Sequence, residues 1–225
     1  MSTAALSFTV QPAQDWPTLH EACAVRAAAY GRHLPGLGSA LATPDDGDSA
    51  AGCVVLVCRD KASGDLVGTA RIQRNHPQPL PIEASVALPP ELAGHARAEI
   101  TRLAILPGAD PLVRPMLVKA CWLYAVAAQV RTLVIGARSA ALVRIYRGLG
   151  FTELLGPGQT WPLAHAGGLE HHVLVFDVVG AERHWHAARH ALYGFMVETW
   201  HPDLQLLAPS VQAPPRARPA ATARV

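Results

Sequence analysis

The chain has 225 residues, half of them hydrophobic, with 16% charged residues and a formal net charge of +2. This length and balance fit one globular domain and exclude a disordered or collagen-like chain. The near-neutral charge and the lack of a basic stripe with interleaved aromatic residues argue against a nucleic-acid partner. Residues 201–225 are rich in Pro, Ala and Arg, so we expect a disordered tail after a domain at residues 1–200.

The cysteines and the N-terminus predict a cytoplasmic protein. The longest apolar run, at residues 117–130, is too short to span a bilayer, and residues 1–16 lack the pattern of a signal peptide. The cysteines form no CxxC pair, so we interpret them as reduced core thiols. They are Cys23, Cys53, Cys58 and Cys121.

The predicted elements, in chain order, describe a meander followed by a βαβ unit. The first half has a strand at 6–10, a helix capped by Asp15, an irregular segment at 31–52, hairpin strands at 53–59 and 66–72, and a proline-rich surface segment at 75–90. The second half has strands at 99–106, 132–136, 151–155 and 171–178, and helices at 112–130, 139–149 and 181–200. This order predicts an α+β fold with a mixed, largely antiparallel central sheet flanked by helices.

The segment Ile-Tyr-Arg-Gly-Leu-Gly-Phe at residues 145–151 ends the second helix of the βαβ unit. A helix ending in Tyr-x-x-Leu-Gly-Phe at this place resembles the acetyltransferase (GNAT) superfamily, which has the acyl-CoA N-acyltransferase fold. The resemblance implies that Tyr146 protonates the departing thiolate. Alternatively, Tyr146 only packs, and Gly150 ends the helix in a left-handed conformation.

The start of the long helix departs from this superfamily. Its enzymes usually hold the coenzyme A pyrophosphate with Gln/Arg-x-x-Gly-x-Gly/Ala, where bare backbone amides meet the phosphates. The matching positions here are Asp110, Val113 and Pro115. We therefore expect no tight pyrophosphate site, whereas a phosphopantetheine arm on an acyl carrier protein needs none.

An ordered series of short motifs in the first half narrows the resemblance. It consists of Arg26-x-x-x-Tyr30, Asp-Asp-Gly-Asp at 45–48, Gly-Asp-Leu-Val-Gly-Thr-Ala-Arg at 64–71 and Glu-Ile-Thr-Arg-Leu at 99–103. The series resembles the acyl-homoserine-lactone (autoinducer) synthases and, more closely, the N-acyl amino acid synthases. Where autoinducer synthases carry a tryptophan, this chain has His-Leu-Pro at 33–35.

The resemblance implies a role for each matching residue. Glu99 would help to deprotonate the attacking amine, directly or through water, and Asp45 and Asp48 would fasten a mobile N-terminal lid. Backbone amides near Leu103 and Ile105 would polarise the thioester carbonyl. The substrate-binding residues would be Arg26, Tyr30, Arg71, Arg102, Leu103 and Ile105.

Strand geometry adds a condition to these roles. In a regular strand, Glu99 and Arg102 point to opposite faces, so a shared site requires a β-bulge between them. The alternative is an ion-pair network among the arginines, Glu99 and the aspartates that fastens the lid without chemistry.

Other charged and histidine side chains carry weaker predictions. His186 and His190 share a helical face but lack a third ligand, so we predict no metal site. His171 opens the last predicted strand, where one side faces the cleft, and we interpret it as structural. Five basic residues form either a rim for an acidic carrier protein or simply solvated helix faces: Arg114, Lys119, Arg138, Arg144 and Arg147.

These patterns predict an N-acyltransferase that moves a medium or long acyl chain to the amine of an amino acid or a similar small molecule. The co-substrate would be an acyl-phosphopantetheine thioester on acyl carrier protein or coenzyme A, with no tightly bound cofactor. Attack would be direct, since no cysteine lies in a nucleophile motif. The alternatives are an autoinducer synthase that uses S-adenosylmethionine and a non-catalytic module that binds a lipid or a carrier protein.

Overall fold

A computed structural model describes residues 2–207 and residue 210. The strands are β1 (Ser2–Thr3), β2 (Phe8–Pro12), β3 (Cys53–Asp60), β4 (Leu66–Arg74), β5 (Arg97–Ile105), β6 (Thr132–Ala137), β7 (Thr152–Glu153), β8 (Trp161–Leu163), β9 (Leu169–Asp177) and β10 (Thr199–Trp200). The helices are α1 (Trp16–Gly31), α2 (Pro35–Ala40), α3 (Pro90–Ala93), α4 (Val113–Ala127), α5 (Ala140–Gly148) and α6 (Ala181–Ala187), with a π-helical segment at Gly194–Glu198. Three 3-10 turns span Asp46–Ser49, Pro81–Ala84 and Ala164–Ala166.

The central sheet has the strand order β2-β3-β4-β5-β6-β9-β7, and β8 pairs with β9. β5 and β6 run parallel, and the other neighbouring strands that the described residues form in this sheet are antiparallel. The prediction of a mixed, largely antiparallel sheet is therefore confirmed. β8 was missed because its three residues follow a glycine-containing loop and carry too short a pattern.

The two faces of the sheet bury different partners. On one face, the apolar side of α4, including Met116 and Leu117, packs with Ile100 of β5. On the other face, α1 packs Leu19 against Val55 of β3. Asp15 caps α1 as predicted, because its Oδ1 accepts a hydrogen bond of 2.8 Å from the Thr18 amide.

The proline-rich segment at 75–90 does not lie on the surface as predicted. Its side chains Leu80, Ile82 and Val86 are buried against Val134 and Val173, on the sheet face opposite α4. Five prolines prevent ordinary strand pairing, but they leave the apolar side chains between them free to pack on the sheet. This segment therefore forms one wall of the molecule beside β5 and β6.

The C-terminal part corrects two predictions. The helix expected at 181–200 ends at Ala187, where Arg189 adopts a left-handed backbone with φ of 48°. The domain also continues beyond residue 200, since His201 is buried and Leu204 forms a bridge with Val10. The remaining tail, at 208–209 and 211–225, lies outside the described residues.

Candidate active site

A cavity of about 650 Å³ opens where β5 and β6 separate. The two strands pair only from Arg97–Thr132 to Ile100–Ile135, although β5 continues to Ile105. The second half of β5 is therefore left without a neighbour on the β6 side, and its residues line the cavity. The site is built from a gap in the sheet, as expected when two parallel strands diverge.

The predicted β-bulge is present in β5. The register with β4 shifts between Thr69, which pairs with Ala104, and Arg71, which pairs with Thr101. β5 therefore has one residue more than β4 over this stretch. Arg102 lies in this irregularity with a left-handed φ of 54°. As a result, Glu99 and Arg102 both line the cavity, which a regular strand would prevent.

Glu99 lies at the inner end of the cavity with no solvent-exposed surface. Its Oε2 accepts a hydrogen bond of 2.8 Å from the Ile82 amide, and its Oε1 lies 3.2 Å from His165 Nε2. That second contact lacks the alignment of a hydrogen bond, which leaves Oε1 without one. The turn that carries His165 is itself held by the Ser85 hydroxyl, which accepts from the Ala164 amide at 2.9 Å. The proline-rich segment thus positions both Glu99 and His165.

His171 lies on the same sheet face as Glu99. The register pairs Glu99 with Val134 and Gly136 with Val173, so alternation places His171 beside Gly136 on that face. The ring lines the cavity, and its Nδ1 lies 2.7 Å from the Leu169 carbonyl oxygen, to which it donates. The interpretation of His171 as a purely structural strand start is incomplete, because the ring also faces the cleft.

Tyr146 lines the cavity from α5. Ser139 caps this helix as predicted by accepting from the Leu142 amide. Burial raises the pKa of Tyr146 to about 12, against a smaller opposing effect of the nearby Arg114 cation. The phenol therefore stays protonated at neutral pH and is able to act as a proton donor.

Tyr30, Leu103 and Ile105 also line the cavity, at the positions expected for substrate contact. The Tyr30 hydroxyl donates to the Leu103 carbonyl at 3.1 Å, which ties α1 to the bulged part of β5. The Leu106 amide bonds to Val67 on β4. Because strand amides alternate in direction, the Ile105 amide points away from β4, toward the gap.

Arg26 and Arg71 do not line the cavity, contrary to their predicted role in substrate binding. Arg26 forms a buried ion pair of 2.8 Å with Asp48, and Arg71 forms one of 2.6 Å with Asp45. Burial alone would raise the pKa of Asp45, but the cations of Arg71 and Arg102 hold it below its ordinary value. Arg102 joins this ion-pair network through Asp45 at 3.3 Å, whereas Glu99, which the alternative network included, contacts Ile82 and His165 instead.

The basic rim is only partly where the sequence predicts it. Arg114 and Arg138 line the cavity, while Arg144 and Arg147 are exposed on α5. Lys119 is buried and therefore cannot belong to the rim. Its Nζ donates to the carbonyls of Phe195 (2.6 Å) and Thr199 (2.8 Å), which fastens the C-terminal segment, and burial lowers its pKa to about 8.

The start of α4 is closed by a carboxylate. Asp110 Oδ1 accepts from the Leu112 amide at 2.8 Å, and Asp110 Oδ2 accepts from the Ser7 hydroxyl at 2.6 Å. The position where a pyrophosphate would bind backbone amides is thus occupied by a negative side chain.

Several cavity residues were not predicted from the sequence. They lie on loops, turns or helix ends, where no periodicity marks them, and they share a basic or titratable side chain. They are Arg32, His33 and His165. Among the lining residues that the structure describes, Glu99 is the one acidic side chain.

Neither a scan against protein-family models nor a search of curated proteins finds a match for this sequence. Among the described residues, no helix is both long and apolar enough to cross a membrane.

Solved structures with the same fold do match the chain. FeeM, an N-acyl amino acid synthase from uncultured soil microbes, has a TM-score of 0.58 at 19% identity, covering 84% of this chain and 98% of FeeM. BjaI, a coenzyme A-dependent acyl-homoserine lactone synthase, has a TM-score of 0.56 at 12% identity, covering 90% of this chain and 94% of BjaI. Escherichia coli ElaA has a TM-score of 0.51 at 13% identity, covering 76% of this chain and 99% of ElaA. The chain therefore has the GNAT acyltransferase fold, as its sequence resemblance implies.

Proposed function

We propose that the chain is an N-acyltransferase that moves a medium or long acyl chain from acyl carrier protein to the amine of an amino acid or a similar small molecule. The observation that carries the proposal is the cavity between β5 and β6. It combines an unpaired strand edge, the protonated phenol of Tyr146 and an excess of basic side chains. Its likeness in fold to an N-acyl amino acid synthase supports the same reaction class.

The charge of the cavity favours an acceptor with a carboxylate. Arg32, Arg114 and Arg138 line it together with three histidines, whereas Glu99 is the acidic residue among its described lining. Arg102 also lines the cavity, but it pairs with Asp45 at 3.3 Å. A guanidinium pairs well with a carboxylate, which an amino acid and S-adenosylmethionine both carry, but it repels the sulfonium that S-adenosylmethionine alone carries. The amino acid acceptor is therefore favoured over the substrate of an autoinducer synthase.

The start of α4 favours a carrier protein as the donor. Coenzyme A brings a pyrophosphate, which would meet the Asp110 carboxylate and the missing amide of Pro115. A carrier-protein arm brings a single phosphate outside the cavity. The exposed Arg144 and Arg147 would then attract the acidic carrier surface.

The residues support a direct attack on the thioester. The amides near Leu103 and Ile105 would polarise its carbonyl, Glu99 would support positive charge near the amine, and Tyr146 would protonate the departing thiolate. Burial raises the pKa of Cys53, Cys58 and Cys121 to about 12, so these thiols are not nucleophiles at neutral pH.

The test is to incubate the purified chain with octanoyl to hexadecanoyl carrier proteins and a panel of amino acids. We expect amine-dependent release of the carrier thiol and an N-acyl amino acid by mass spectrometry. The buried cysteines keep the background of a thiol reagent low. A lactone product from S-adenosylmethionine would favour the autoinducer synthase, and absence of any thiol release would favour a non-catalytic binding module.

A further inference from the structure

We propose, resting on the acyl transfer above, that His171 is the catalytic base of this site. Its Nε2 would take up the proton that the acceptor amine loses during attack. Glu99 is poorly placed to do this itself, because it has no exposed surface and its Oε2 is held by the Ile82 amide. In this arrangement Glu99 acts as a nearby negative charge.

The geometry of His171 fits this role. Its Nδ1 donates to the Leu169 carbonyl at 2.7 Å, which fixes the tautomer that leaves a lone pair on Nε2. The ring lies beside Gly136, where an added Cβ would lie 3.2 Å from His171 Cδ2. The same Cβ would lie 3.1 Å from Leu163 Cδ1, so a side chain at position 136 would crowd both the imidazole ring and Leu163.

The surroundings of His171 keep the ring neutral. Burial lowers its pKa from the ordinary value of 6.5, and the neighbouring His165 and Arg138 act in the same direction. The Leu169 hydrogen bond and Glu170 oppose this shift, with a smaller effect. At neutral pH the imidazole is therefore a proton acceptor.

The chemical step balances with two side chains. The amine nitrogen forms a bond to the carbonyl carbon, its proton moves to His171 Nε2, and the carbon–sulfur bond breaks. The thiolate takes the proton of the Tyr146 hydroxyl. Transfer of one proton from the imidazolium to the tyrosinate, through solvent, restores both residues and leaves an amide and a free thiol.

The experiment compares His171→Gln with His172→Gln. His172 is the matched control because it lies one position along β9, on the opposite face, near Glu153 and outside the cavity lining. With acyl carrier protein and an amino acid, we expect His171→Gln to lower kcat about 100-fold with little change in KM. The part of the acid fall in kcat/KM that comes from protonation of the imidazole would also disappear in this variant, leaving only the part due to protonation of the acceptor amine. His172→Gln should stay within about twofold of the wild type.

Two further variants distinguish loss of the catalytic base from misfolding of His171→Gln. Gly136→Ala keeps the histidine but crowds its ring and Leu163, so it should lower kcat in the same direction but by less. Free imidazole should restore part of the activity of His171→Gly. Wild-type kcat and an unchanged acid limb in His171→Gln would overturn this inference alone. Absence of thiol release by the wild type would instead overturn the acyltransferase proposal together with it.

Discussion

Two groups of charged side chains meet at β5, and they differ in how their charges are matched. In the first, two arginines face two aspartates: Arg26 pairs with Asp48, and Arg71 pairs with Asp45. In the second, Arg32, Arg114 and Arg138 and the histidines of the cavity face Glu99 as the acidic residue of the described lining, while Arg102 pairs with Asp45 of the first group at 3.3 Å. The matched network neutralises its own charge, and breaking one of its buried pairs would leave an uncompensated charge. The unmatched group carries the excess positive charge on which the proposal of an anionic acceptor rests.

The largest expected effect tests the matched network. Arg26→Met leaves the Asp48 carboxylate buried without its closest partner, so we expect a loss of about 3 kcal/mol or more in the free energy of unfolding. Urea denaturation measures it. The control is Arg59→Met, which removes an exposed pair with Glu21 and should cost less than about 1 kcal/mol. A stable Arg26→Met protein with a raised KM for the acceptor would instead indicate that Arg26 binds the substrate.

The next effect tests chemistry in the unmatched cluster. Tyr146→Phe removes the proposed proton donor, so we expect kcat to fall about 100-fold while KM changes little. Tyr124→Phe, on α4 and outside the cavity lining, serves as the control for loss of a phenol. Equal turnover by both variants would assign Tyr146 to packing alone.

A smaller effect is expected when one of the unmatched arginines of the cavity is neutralised. Arg138→Gln should raise KM for the amino acid about tenfold, which corresponds to about 1.4 kcal/mol of lost binding. Arg147→Gln, on the exposed face of α5, should weaken only the binding of the carrier protein and leave KM for the amino acid unchanged. If an uncharged amine is acylated as well as an amino acid, the anionic-acceptor proposal is wrong.

The smallest effect concerns Lys119, a buried cation outside both groups. Burial lowers its pKa to about 8, whereas the unfolded chain has the ordinary value of 10.5. Between these values the unfolded state binds more protons, so stability rises with pH. We expect the wild type to gain about 1 kcal/mol relative to Lys119→Met between pH 8 and pH 9. Parallel urea titrations at the two pH values would detect this gain, and a constant difference would contradict it.

Local patterns predicted much of the fold. Apolar periodicity placed β3, β4, β5 and the helices α4 and α5 within a few residues, and the N-caps Asp15 and Ser139 were identified correctly. The prediction that the proline-rich segment lies on the surface was wrong because a segment that cannot pair as a strand was assumed to be exposed as well. Its prolines exclude pairing, but its buried leucine and isoleucine pack on the sheet.

The candidate site shows the same division. The sequence determined the residue types at Glu99, Arg102 and Tyr146, and it required a bulge if the first two share a site. Only the tertiary structure decided that Arg26 and Arg71 turn into the network, that Lys119 is buried, and that His165 and His171 line the cleft. The physical reason is the separation along the chain of the residues that determine each property. Periodicity and capping depend on neighbours within a turn, whereas the gap between β5 and β6 and the burial of each charge depend on segments far apart in the chain.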